Sequence, residues 1–153
     1  LDVYYSEYWE GKTPYYAILR SFEDTLTCVK THEHFDVLGH LTYLGKCDAN
    51  PEKKPILYKD YRELADEIMK VLVEKGKGME FNTSGMDRCG VYLPGEEYLR
   101  RFKELGGQIV TVGSDAHHSN RVGQYCKEAC AIVQDIFGYV CTFESRKPQF
   151  HKG

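Results

Sequence analysis

The chain has 153 residues, 42% hydrophobic and 28% charged, with a formal net charge of -3, the make-up of one globular domain large enough for a real core. That balance gives no polybasic signal for nucleic acid or an anionic membrane surface, and no apolar run approaches the length of a membrane span. Six cysteines without a Cys-x-x-Cys pair, and no basic-then-apolar leader, read as reduced thiols of a cytoplasmic protein.

The chain opens on Leu1 instead of Met, as if cut from something longer. Tyr4, Tyr5, Tyr8 and Trp9 form an aromatic cluster expected to pack on a neighbouring element. Thr13-Pro14 supplies an N-cap and a first-turn proline, and Tyr15, Leu19, Phe22, Leu26 and Val29 recur at helical spacing, predicting a helix to about Thr31. Phe35-Asp36-Val37-Leu38-Gly39 reads as a short buried strand with His40 just past it. A polar loop over 46–55 leads to a helix over 58–75 that buries Tyr61, Leu64, Ile68, Val71 and Leu72.

Met79-Glu80-Phe81-Asn82 is the next strand, running into Thr83-Ser84-Gly85. Pro94 opens a helix carrying Tyr98, Leu99, Phe102 and Leu105, closed by Gly106-Gly107. The β-branched run 109–112 is a third strand, ending in Gly113-Ser114-Asp115-Ala116-His117-His118. A helix from about Arg121 buries Val122, Tyr125, Ala129, Ile132, Val133 and Ile136; Gly138 releases a strand over 139–143, and the tail is basic and irregular. Helix and strand alternate four times, which calls for an α/β fold with four parallel strands, either a doubly wound sheet or part of a TIM-like barrel. Four strands are too few to close a barrel of this kind.

In such folds the carboxyl ends of parallel strands converge on one face, where ligands bind. Three of these ends carry chemistry: His40; Glu80 and Asn82 with Ser84; Asp115 with His117 and His118. A carboxylate and imidazoles at strand tips supply the charge and neutral nitrogens that a divalent cation takes. Asp115 or Ser114 as a helix N-cap, His40 as a structural histidine and Glu80 as half of an ion pair are the competing readings. Lys46, Arg88 and Arg121 follow strand tips and suit an anionic substrate, Arg88 and Arg121 most. His32-Glu33-His34 has a metal-pair spacing but stands at the wrong end of its strand, and reads as solvated histidines at a helix end. Cys126 and Cys130, one helical turn apart, read as core, and His151 has no evident partner.

Phe35-Asp36-Val37-Leu38-Gly39-His40-Leu41, Glu80-Phe81-Asn82-Thr83-Ser84-Gly85, Gly113-Ser114-Asp115-Ala116-His117 and Thr142-Phe143-Glu144-Ser145-Arg146-Lys147-Pro148 stand in an order that resembles the histidinol-phosphatases of the PHP (polymerase and histidinol phosphatase) superfamily. The likeness covers nearly the whole chain; the Asn-Thr-Ser-Gly stretch and the Arg-Lys-Pro tail separate it from polymerase-associated members. It implies a distorted seven-stranded TIM-like barrel, three divalent metals (zinc, manganese or iron) and hydrolysis of L-histidinol phosphate in histidine biosynthesis. Carried over by position, His40, Asp115 and His117 are metal ligands, Asp115 and His117 carry catalysis, and Asn82, Ser84, Arg88 and Arg121 hold substrate. Metals would generate hydroxide near neutral pH and neutralise phosphoryl oxygens.

The family's early His-x-His motif, bridging glutamate and one further histidine have no match here, Glu80 is not that glutamate, and Thr42 and 44–47 depart from an acidic residue and a basic segment. The expectation is therefore the carboxyl-terminal part of such an enzyme over 1–153, a partial TIM-like barrel, inactive alone. Its partners are a small phosphate ester and the missing amino-terminal half of the barrel or a swapped copy. The alternatives are a phosphoesterase for another small phosphate ester or a nucleotide, and a non-catalytic module that binds a partner through its sheet edge.

Overall fold

A computed structural model describes residues 6–153; Tyr4 and Tyr5 lie outside the described residues. A short helix α1 (Ser6–Trp9) buries Trp9, against which Tyr8 stands edge-on at 5.3 Å. The long helix α2 (Pro14–Thr31) starts where predicted, the Thr13 hydroxyl accepting from the Tyr16 N–H at 3.3 Å. Its buried face runs through Ala17, Ile18, Phe22 and Val29, while Tyr15 is exposed at the helix start and stacks on Tyr61. After α2 come β1 (Val37–Leu38), shorter than the sequence suggests, and α3 (Arg62–Glu74), which packs on α2. Ala65, Ile68, Met69 and Leu72 on α3 are sealed from solvent.

Strand β2 (Gly78–Asn82) lies between β1 and β3 (Val110–Gly113), and both pairings are parallel. Asn82 stands opposite Gly113 and Leu38 opposite Met79, so all three carboxyl ends open on the same edge. Between β2 and β3 run a single-turn helix α4 (Met86–Cys89) and α5 (Glu96–Glu104), which buries Tyr98, Leu99 and Phe102. Arg101 on α5 grips Asp66 on α3 with two parallel bonds, Nε–Oδ1 at 3.0 Å and Nη2–Oδ2 at 2.7 Å. That contact holds the Asp66 carboxyl below its usual range, against burial. Helix α6 (Cys126–Phe137) ends at Gly138, whose φ of +82° provides the left-handed cap.

Two expectations fail at the carboxyl end. The fourth strand does not extend the parallel sheet: β4 (Tyr139–Glu144) pairs antiparallel with β5 (Lys147–Lys152), formed from the tail read as irregular. The turn places both Ser145 and Arg146 at positive φ (49° and 64°), as a two-residue hairpin of type I′ requires. Arg146 then reaches Asp36 beside β1 through Nε–Oδ2 and Nη2–Oδ1 bonds of 2.9 and 3.0 Å, which clasps the hairpin to the sheet. His151, unpartnered in the sequence reading, meets the Thr142 hydroxyl across the hairpin. The helix expected from Arg121 begins only at Cys126, leaving Val122 exposed, because Gly123 and Tyr125 both take left-handed φ and break the run. No helix among the described residues is long and apolar enough to cross a membrane.

Met79, Phe81 and Val110 carry the sheet face against the helices and are fully buried. Truncating the centre of β2, Phe81→Ala, is expected to lower unfolding free energy by about 3–5 kcal/mol. Urea denaturation followed by circular dichroism measures it, and a loss under about 1 kcal/mol would show that this face is not the core.

Candidate functional site

Alternation along β2 buries Phe81 in the core and puts Glu80 and Asn82 together on the opposite face. A Cβ at Gly113, across the ladder, would lie 2.3 Å from Glu80 Oε1, so a side chain there would push this carboxylate from its place between the strand tips. Glu80 Oε2 accepts the His40 backbone N–H at 3.1 Å and the Asn82 amide Nδ2 at 3.0 Å. His40 takes a φ of 26°, so the Glu80 bond braces a sharp bend at the end of β1. Asn82, 1% exposed, uses its Oδ1 to accept the Ser84 N–H at 2.9 Å and the Ser84 hydroxyl. These contacts make Glu80 and Asn82 the frame on which the loops are set.

Lys46, from the loop after β1, crosses that frame. Its ammonium donates to Asp115 Oδ2 at 2.8 Å and to Ser84 Oγ, and lies 4.9 Å from the centre of the Tyr43 ring. The Lys46 side chain is 10% exposed, which makes the pair partly dry and correspondingly strong. Burial acts to raise the Asp115 pKa, but the Lys46 bond and charge, with the positive influence of His40 and His117, outweigh it and hold the carboxyl below its usual range. Asp115 itself sits at φ 48°, and its Oδ1 lies 3.4 Å from His117 Nε2.

Beside this pair opens a two-lobed cleft. One lobe of about 230 Å³ is lined by Tyr43, Lys46, Cys47, Asp48, Arg88, Asp115 and His117. The other, about 260 Å³, shares Lys46, Arg88, Asp115 and His117 and adds Ser84, His118 and Arg121. Each arginine is engaged by a carboxylate from a neighbouring segment: Arg88 by Asp48 at 2.5 Å and Arg121 by Asp87, on α4, at 3.3 Å. Asp87 also accepts from Tyr125 Oη at 2.8 Å and Gln124 Nε2 at 3.1 Å, tying α4 to the loop before α6. Asp48 is held below the usual carboxylate range chiefly by its bonds to Arg88 and Lys53.

Of the residues named from the sequence, Ser84, Arg88, Asp115, His117 and Arg121 line the cleft, and Asn82 lies beneath it. His40 is not among its lining residues: its ring packs on Tyr43, which is, at 5.0 Å, and its charge reaches Asp115. Among the described residues no three His, Cys, Asp or Glu side chains cluster closely enough to hold a metal ion. The helix-end histidines sit away from the cleft, with Glu33 between them paired to Lys75 at 2.5 Å. By sequence alone Lys46 ranks below the arginines, and Asp48 and Asp87 carry no signal. Loop length hid them, since nothing in a sequence says that residue 46 reaches residue 115.

No family model matches the chain. It is similar to a probable histidinol-phosphatase of Clostridium acetobutylicum, 28% identical over 149 residues that make up 95% of this chain and 57% of the relative. A histidinol-phosphatase of Lactococcus lactis is 29% identical over 123 residues, 80% of this chain and 45% of that one. The chain thus spans about half the length of the curated relatives it matches. In three dimensions it resembles the crystal structure of histidinol phosphate phosphatase from Lactococcus lactis, complexed with zinc, L-histidinol and phosphate. That match has a TM-score of 0.79 and 26% identity over 94% of this chain and 54% of the neighbour. The resemblance read in the sequence holds along most of the chain.

A carboxyl whose folded pKa is lowered stabilises the fold above its unfolded value, about 3.9, and that contribution is lost as pH falls through the folded value. Asp115 has this sign. Asp115→Asn is therefore expected to lower stability at neutral pH and to flatten the loss of stability between about pH 5 and about pH 2. Denaturant midpoints across that range measure it; parallel acid limbs for the two proteins would show that the pair contributes nothing.

Proposed function

We propose, from this likeness to histidinol-phosphatases, that the chain is the carboxyl-terminal part, over 1–153, of a cytoplasmic enzyme that hydrolyses L-histidinol phosphate to L-histidinol and phosphate. The observation that carries the reading is the structural match to a protein complexed with zinc, L-histidinol and phosphate, at a TM-score of 0.79 over 94% of this chain. Three cationic side chains around one cleft support it, because a phosphate ester needs fixed positive donors and gains most from guanidinium groups. In this reading Arg88 and Arg121 hold phosphoryl oxygens, and Asn82 and Ser84 complete the substrate site, the Ser84 hydroxyl turning its proton from Asn82 Oδ1 to the phosphate. The three parallel strands form part of a TIM-like barrel, completed by a preceding half or by a swapped copy; alone, the chain is inactive.

Divalent metals (zinc, manganese or iron) are the cofactors of the whole enzyme in this reading, three in number, with His40, Asp115 and His117 as this chain's ligands. The donors at hand do not make up such a site unaided. Asp115 and His117 are one carboxylate and one exposed imidazole, and Lys46 is bonded to the carboxylate. A stable zinc site takes three or four protein donors, so the remaining ligands belong to the rest of the barrel.

The whole protein, assayed with zinc or manganese, is expected to release phosphate from histidinol phosphate, and Asp115→Asn to lower kcat by about 100-fold or more. Arg88→Ala and Arg121→Ala are expected to raise KM about tenfold. Phosphate release from other esters but not from histidinol phosphate would point instead to a phosphoesterase of different substrate. No release from any ester would leave the partner-binding module.

A further inference from the structure

Asp115 Oδ2 takes the Lys46 ammonium at 2.8 Å, and Oδ1 faces His117 Nε2 at 3.4 Å. The ammonium is steered from two further sides, by Ser84 Oγ and by the face of Tyr43. Ser84 is itself fixed to Asn82, and Asn82 to Glu80, so the lysine's seat is anchored to the central strand. A surface ion pair would give way easily, whereas this lysine is 10% exposed and seated by three contacts.

We infer that Lys46 is a built-in competitor for the negative charge of Asp115: its ammonium on Oδ2 weakens the hold of that carboxylate on a divalent metal, whether the metal displaces it or sits beside it on Oδ1. The inference rests on reading Asp115 as a metal ligand, as above, but it concerns metal affinity and not turnover. A carboxylate oxygen in hydrogen-bond contact with an ammonium cannot at the same time give its full charge to a metal. In this reading Lys46 lowers the metal affinity of the half-site, in addition to the small number of donors. Linkage makes the competition mutual: whatever draws Lys46 away from Asp115 strengthens metal binding there, by the same factor with which metal frees Lys46.

The test is a zinc titration of the purified protein by calorimetry, with no substrate present. Lys46→Met removes the ammonium and keeps most of the apolar stem; it is expected to tighten zinc binding by about tenfold or more. Lys46→Arg, which keeps the charge, is expected to stay within about threefold of the unmodified protein. Adding Asp115→Asn to Lys46→Met is expected to abolish the gain. Equal or weaker zinc binding by Lys46→Met, or a gain that survives Asp115→Asn, would overturn the inference. Should Lys46→Met fail to fold by circular dichroism, the unmodified protein decides. With ¹⁵N-labelled lysine, saturating zinc must move the Lys46 Nζ resonance, and an unmoved resonance overturns the inference. Loss of histidinol phosphate hydrolysis with these zinc results intact would count against the proposed function alone.

Discussion

The contact on which the arrangement of loops depends is the Lys46–Asp115 ion pair. It spans from the loop after β1 to the loop after β3, passing over the end of β2, and so joins all three tips of the parallel sheet. A single exposed pair would contribute little. This one is different because the lysine is removed from water, and a buried charge without a partner costs more than the pair gains. Folding therefore has to bring the two loops together, and the bond to Ser84 makes the β2 tip part of the same unit.

Underneath, Glu80 and Asn82 convert strand register into site geometry. Because Asn82 lies opposite Gly113, and glycine leaves room for Glu80, the carboxylate can reach the His40 backbone and hold the β1 tip in its bend. Asn82 passes the same order to Ser84, and Ser84 to Lys46. The chain of contacts runs outward from fully buried Phe81 and Met79 through half-buried polar groups to an open cleft. Rigid strands thus fix side chains that stand on loops, a division of labour common to α/β folds.

Much of this was legible in the sequence, and the misreadings have physical causes. The alternation of apolar helices and short β-branched strands marked the α/β class, and the polar groups just past His40, Asn82 and Gly113 marked the reactive edge. Strand β5 was hidden because Lys147, Gln149 and His151 alternate with Pro148 and Phe150 in a mostly exposed ribbon, without an Asn-Gly or Asp-Gly turn. The start of α6 was misplaced because Val122 and Tyr125 fit a helical period that left-handed residues interrupt. Lys46 was undervalued because its role comes from where a loop folds back, and hydrophobic period says nothing of that.

The charges of the cleft form a closed set. Lys46 is matched by Asp115, Arg88 by Asp48 and Arg121 by Asp87, and helix α4 contributes one member to each of the last two pairs. A phosphate group entering here meets no free cation among these three; it must share each with the carboxylate already holding it. Sharing is cheapest at Arg88 and Arg121, which are 45% and 49% exposed, so water screens their existing pairs. It is hardest at Lys46, where little water reaches. An anion would then be met first by the arginines at the mouth, while Lys46 stays with Asp115 until another positive charge takes its place. The order in which these pairs open is set by burial.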